Sequence, residues 1–205
     1  NDYFEEGTEY LRQGDHEEAV GQFDQAINLD PQLVNAYYLR AAAYFELGQY
    51  GLAIKDYDES LRLEPDDSAV YNDRANAYNS LGQYDRAIED FDQAIRLDPE
   101  DGQLYTGRGT AYANLGQFER AIQDHNEAIR LNPELPTAYN NKGYVYMLLG
   151  QLELAIGDFS ESIRLNPRSV TYLNRGSVYR SLGQLDRAIE DYDEAIRLDP
   201  QQYSG

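Results

Sequence analysis

Two histidines, no cysteine and a surplus of carboxylates are what this 205-residue chain offers for chemistry. His16 and His125 are the side chains whose ordinary titration lies near neutrality, and a catalytic imidazole needs a nucleophile or acid placed beside it. No nucleophile elbow, phosphate loop or dinucleotide fingerprint supplies such a setting. The lack of cysteine removes thiolate metal sites, disulfides and cysteine nucleophiles together. Asp and Glu number 37 against 17 Lys and Arg, a net charge of −20. That field repels phosphate backbones and anionic lipid, which argues against nucleic acid and membrane surfaces as partners. The carboxylates lie beside Arg and Lys in a pattern that reads as a solvated outer face. An enzyme is therefore not expected, and no cofactor or metal is expected. Amides and hydroxyls are also frequent, and one group of them is singled out by the family resemblance given below: Asn72, Asn76, Asn79, Thr106, Thr110, Asn140, Asn141, Asn174 and Ser177. A carboxamide carries donors and an acceptor, so such residues can pair with an extended peptide backbone whatever its side chains.

The elements that must position these residues follow from a period. Pro31, Pro65, Pro99, Pro133 and Pro167 recur every 34 residues, and Pro200 follows after 33. A fixed step of this length marks a repeat array. Within each step, apolar residues at three- and four-residue spacing form two runs, as in Val70, Tyr71, Ala75, Ala77, Tyr78 and Leu81, then Ala87, Ile88, Phe91, Ala94, Ile95 and Leu97. Gly14, Gly48, Gly82, Gly116, Gly150 and Gly183 separate the runs, where a helix ends in the left-handed conformation. The second helix closes before each recurring proline, because the residue ahead of a proline avoids the α region. Pro136 differs and suits a first helical turn. An all-α array of six helix-turn-helix hairpins is predicted, with units 1–33, 34–67, 68–101, 102–135, 136–168 and 169–202 in a single repeat domain and a short tail at 203–205. The missing residue falls between Pro167 and Tyr172, in the turn between the fifth and sixth hairpins.

Six copies permit comparison within one chain. Arg40, Arg74, Arg108, Lys142 and Arg175 share one column; Asp56, Asp90, Asp124, Asp158 and Asp191 share another, sixteen residues later. The first unit has Glu6 and Gln22 there, so both partners vanish together and an ion pair within each hairpin is expected. His16 and His125 occupy columns that are aromatic or aliphatic elsewhere, His125 beside Phe23, Tyr57, Phe91, Phe159 and Tyr192. Both read as packing residues.

In the third unit the recurring positions are Tyr71, Ala75, Tyr78, Gly82, Ala87, Phe91, Ala94 and Pro99. Over its whole length the chain resembles the tetratricopeptide repeat family. Tyr stands where the family usually has Trp, at Tyr3, Tyr37, Tyr71, Tyr105, Tyr139 and Tyr172, and His125 stands in the aromatic column. The resemblance implies a right-handed superhelical solenoid whose first helices line a concave groove, and a protein or peptide client held there as an extended segment or a helix. On that implication Phe4, Tyr38, Phe45, Tyr144 and Met147 anchor side chains of the client. Asn72, Asn76 and Asn79, continued by Thr106, Thr110 and Asn140, pair with its backbone. Some members grip a C-terminal carboxylate with Lys and Asn. Here the column reads Phe4, Tyr38, Asn72, Thr106, Asn140 and Leu173 with no Lys, so no such clamp is expected.

The two ends differ. Asp2, Glu9 and Gln13 are polar where later first helices carry small or apolar residues, the mark of a capping repeat. Ile189, Tyr192, Ile196 and Leu198 retain the residues that inner units bury. An uncovered apolar face seeks a cover, so association of copies through it, as a dimer or a helical filament, is the alternative function. No apolar run approaches the roughly 20 residues of a membrane span, so membrane insertion is not expected. The chain opens at Asn1 and not Met, which leaves both a cytoplasmic location and export after loss of an upstream segment open.

Overall fold

The structure, a computed structural model, describes residues 2–200, and the tail expected at 203–205 lies outside them. Among the described residues there are twelve helices and no strand: α1 (Asp2–Gln13), α2 (His16–Leu29), α3 (Val34–Glu46), α4 (Tyr50–Leu63), α5 (Ser68–Ser80), α6 (Tyr84–Leu97), α7 (Gly102–Asn114), α8 (Phe118–Leu131), α9 (Pro136–Leu148), α10 (Leu152–Leu165), α11 (Ser169–Ser181) and α12 (Leu185–Leu198). They pair as six hairpins and fall into two compact units, Asn1–Pro99 and Glu100–Gly205.

Each hairpin turns on its glycine. The six separators have φ between 71° and 85°, a region costly for residues with a Cβ. Around Gly48 the Gly48 N–H donates to the Phe45 carbonyl at 2.9 Å and the Gln49 N–H to the Tyr44 carbonyl at 2.8 Å, which satisfies carbonyls the helix end would orphan. Pro136 does begin α9. Where prolines do not start the helix, Asp67 and Asp101 cap α5 and α7 by accepting backbone N–H groups. The turn at 166–168 is one residue shorter than its counterparts, and α11 keeps the full length of 13 residues.

Two couplings, each spanning sixteen residues, close a hairpin. The first sets a small residue on the first helix against an aromatic on the second. A Cβ on Gly143 would lie 3.0 Å from the Phe159 ring, and one on Gly176 would lie 2.8 Å from Tyr192. Ala41 and Ala75 hold the same place opposite Tyr57 and Phe91, all four buried. The second is the expected ion pair. Arg40 Nε and Nη2 each donate to Asp56 at 2.7 Å; Arg74 repeats this with Asp90, Arg108 with Asp124 and Arg175 with Asp191.

The guanidinium also reaches backward, which the column comparison did not anticipate. Arg40 donates to Asp24, Arg74 to Asp58 at 2.6 Å and Arg175 to Ser160 at 2.9 Å, each on the preceding second helix. The Tyr that replaces the family's Trp lies under the same cation, with Arg74 5.5 Å from the Tyr71 ring centre and Arg175 5.7 Å from that of Tyr172. Burial opposes the charge on Arg40, yet its bonds to Asp56 and Asp24 prevail and raise its pKa.

Within each unit successive first helices touch one another and successive second helices do not, so each unit curves with its first helices inside. Asp2, Glu9 and Gln13 are exposed while their counterparts Ala36 and Ala43 are buried. No helix among the described residues is long and apolar enough to cross a membrane.

Lys142 shows what the fork contributes. Its Nζ makes one contact of 3.2 Å to Asp158 Oδ1 and leaves Oδ2 buried without a partner, where arginines make two bonds. Burial accordingly lifts the Asp158 carboxyl above its ordinary value despite Lys142. Lys142→Arg is expected to raise stability by about 1 kcal/mol, read from urea denaturation; no gain would mean that the fork adds nothing over a point charge.

Candidate functional site

In unit 1–99 the inner face is built from α1, α3 and α5. Its expected aromatic anchors are partly committed to their own core. Phe4 packs tilted on Phe23 with ring centres 6.0 Å apart, Tyr38 on Tyr57 at 6.0 Å, and Phe45 edge-on to Tyr50 at 5.2 Å. All three are half-buried and present one side outward. The Tyr38 hydroxyl donates to Asp73 Oδ2 at 2.8 Å and the Asn72 amide donates to Asp73 Oδ1 at 3.0 Å. Burial and the Asp73 charge push the Tyr38 hydroxyl above its ordinary pKa; burial also lifts Asp73 in spite of both bonds. Asp73 thus joins two hairpins, a role hidden in the sequence because its column reads Glu5, Leu39, Asp73, Gly107, Asn141 and Asn174. Asn76 is half-buried, and Asn79 keeps a buried Oδ1 with no partner.

In unit 100–205 the inner face comes from α7, α9 and α11, and here the polar groups form a chain. The Asn174 amide donates to Asn140 Oδ1 at 3.4 Å, Asn140 to Asn141 Oδ1 at 3.1 Å, and Asn141 to Thr110 Oγ1 at 3.1 Å. Thr110 in turn donates to the Thr106 carbonyl at 2.9 Å. Thr106 departs from expectation. It is buried and its hydroxyl is spent on the Gly102 carbonyl at 3.0 Å, so it offers no free polar group at the surface. Tyr144 stands beside the chain, 44% exposed, whereas Met147 is half-buried against the Phe159 core. Thr110, Asn140, Asn141, Asn174 and Tyr144 line a cavity of about 270 Å³, and Thr106 and Met147 do not.

His125 lines that cavity from beneath. It fills the packing slot opposite Gly109, as its column implies, but neither ring nitrogen has a hydrogen-bond partner. Burial, reinforced by the Lys142 charge, pushes its pKa down to about 4, so the ring is neutral at pH 7. The sequence marked His125 as a substitution in an aromatic column; that it is unpaired depends on neighbours from two hairpins. No cluster of His, Asp and Glu suited to a metal occurs among the described residues.

At the far end, Ile189 and Ile196 are 57% and 46% exposed while their counterparts Ile156 and Ile163 are half-buried. Leu198 and Leu185 are exposed beside them. Tyr192 departs from the expected end face, being half-buried with its ring edge over Gly176 and its hydroxyl 3.4 Å from Ser177.

Family models described as tetratricopeptide repeat match residues 34–67, 68–101, 136–169 and 169–202, and a second such model matches 91–123. A model described as TPR repeat matches 7–48 and 109–150. No curated protein matches the sequence. Among solved structures, PilW, a widely conserved type IV pilus biogenesis factor, is 23% identical with a TM-score of 0.86, over 98% of this chain and 94% of that one. Pseudomonas aeruginosa PilF is 18% identical with a TM-score of 0.80, over 98% and 91%. YrrB, a TPR protein with an unusual peptide-binding site, is 25% identical with a TM-score of 0.61, over 87% and 93%. At such identities PilW and PilF show a shared fold alone.

His125→Phe returns the column to its usual aromatic and removes two unpaired buried nitrogens. A gain of about 1–2 kcal/mol at pH 7 is expected in urea denaturation. The folded pKa of about 4 lies below the ordinary 6.5, so the unfolded chain takes the proton first. The imidazole's contribution is intact above pH 6.5 and fades as pH falls toward 4. Relative to His125→Phe, the native protein should lose roughly 2–3 kcal/mol between pH 7 and pH 4. Parallel pH profiles for the two would contradict the burial of a neutral ring.

Proposed function

We propose, from the premise that this chain belongs to the tetratricopeptide repeat family, that it is a non-enzymatic protein-interaction scaffold whose inner face binds an extended segment of a partner protein. Tetratricopeptide repeat proteins are protein-interaction modules, but the fold alone does not choose the ligand. The observation that carries the reading is the amide chain Asn174, Asn140, Asn141 and Thr110 bordered by the exposed Tyr144. These side chains hold one another in place, so they present donors and acceptors at a low entropic cost to an incoming peptide backbone. An exposed tyrosine beside them gives an anchor of large area and few rotors. In unit 1–99, Phe4, Tyr38 and Phe45 with Asn72, Asn76 and Asn79 repeat the theme. A peptide-binding member such as YrrB supports the same reading.

The test is selection from a displayed random-peptide library on the whole chain. Asn141→Ala combined with Tyr144→Ala should weaken the selected peptides at least about tenfold, with helicity unchanged by circular dichroism. Reversing exposed charges around the face should leave binding nearly intact. Binding lost on charge reversal and kept in the double variant would sink the amide and tyrosine reading.

A second reading, association of copies through the last hairpin, is favoured by one observation, the exposed Leu185, Ile189, Ile196 and Leu198. Apolar faces of this kind mark contact sites, and a head-to-tail contact that does not close builds a filament. Light scattering over a wide concentration range should then give a mass that climbs with concentration, and Ile196→Glu should return it to a monomer while peptide binding persists. A constant monomer mass in the native chain would end this reading.

A further inference from the structure

The structure assigns the cavity over His125 to a carboxamide side chain, Asn or Gln, of the bound peptide. This deepens the peptide-binding reading and rests on it. In the other hairpins the equivalent slot is filled by Phe or Tyr. The Phe159 edge lies 3.0 Å from where a Gly143 Cβ would be, and His125 meets Gly109 in the same way. An imidazole in that slot is shorter than a phenyl ring, and a cavity of about 270 Å³ opens between it and Thr110, Asn140, Asn141, Tyr144 and Asn174.

The chemistry of the lining chooses the occupant. Every side chain around the cavity is uncharged at pH 7, since burial keeps His125 neutral. A neutral imidazole presents one N–H donor and one bare acceptor, and both ring nitrogens of His125 are buried without a partner. The complement is a group that carries an acceptor and a donor side by side. A carboxylate brings acceptors only, into an uncharged site on a chain of net charge −20. An ammonium brings donors only and finds no carboxylate in the lining. Either charge would be desolvated with no counter-ion in the lining, Lys142 acting on His125 from outside it. The ring is fully buried, so a ligand reaches its nitrogens by displacing lining side chains, among which Asn141 and Thr110 share a bond of 3.1 Å. The incoming carboxamide replaces that bond with its own, and it satisfies nitrogens that otherwise have no partner.

The test uses the whole chain labelled with ¹⁵N-histidine, where His16 on α2 serves as an internal control. Propionamide, propionate and propylammonium are titrated as stand-ins for Gln, Glu and Lys side chains. Propionamide should move the His125 ring signals to saturation and leave those of His16 in place; the two ions should not. In peptides selected on the chain, Gln→Glu at the shared position should weaken binding about tenfold, and His125→Phe should abolish the distinction. Unmoved His125 signals, or equal movement by propionate, would overturn the assignment. Peptides that bind but share no Asn or Gln overturn the subsite and leave the peptide reading standing. A chain that selects no peptide overturns both.

Discussion

The structure depends on a planar cation that cannot be left unpaired. Each column arginine is largely buried and held on one side by a bidentate carboxylate sixteen residues later in its own hairpin. In the second and third hairpins the same group reaches a carboxylate of the preceding second helix. Removing either partner would strand a buried charge, so the geometry admits one register between first and second helix and one seating of hairpin on hairpin. The tyrosine beneath the guanidinium and the small-to-aromatic contact one residue further along reinforce that register. Breaking such a pair costs more than the intact pair contributes to stability, because it leaves a buried charge uncompensated.

Fixing the seating fixes which helix faces inward. First helices adjoin within each unit while second helices stay apart, so residues one helical step away from the arginine column meet across hairpins. That is how Tyr38 comes within 2.8 Å of Asp73, thirty-five residues away, and how Asn141 reaches Thr110, thirty-one residues away. The inner face of each unit therefore carries polar groups that are ordered by one another. Ordering paid in folding is not paid again in binding.

Much of this was legible in one sequence. The prolines and glycines announced the hairpins because each acts through its own backbone, a strictly local effect. Arg40 and Asp56 could be paired because they appear and vanish together from unit to unit. The backward reach to Asp24 and Asp58 is not legible within one unit, although those residues recur sixteen positions before each arginine, because the link belongs to two hairpins at once. Thr106 and Tyr192 illustrate the limit from the other side. Column membership placed one at the inner face and the other at the end, yet a hydroxyl that finds a backbone carbonyl or a ring that finds a glycine turns inward. Such choices depend on distances of a few tenths of an ångström, which periodicity does not encode.

On the proposed scaffold reading, near-identical hairpins would bind near-identically along the array, so selectivity would reside where the units differ. The columns that set the fold vary little: Arg or Lys, Asp, small, aromatic, Gly, Pro. The inner columns vary freely, as in Phe4, Tyr38, Asn72, Thr106, Asn140 and Leu173. His125 connects the two classes, a departure in a fold-setting column that also lines the inner-face cavity. It retains the packing role of its column and forgoes the hydrogen bonds an imidazole ordinarily makes. A hydrophobic ring would fill the slot at less cost to folding. On the proposed reading, the hydrogen bonds that His125 forgoes in the core of one hairpin are the counterpart of the neutral, polar cavity it lines on the inner face, since stability given up at a single site commonly accompanies function there.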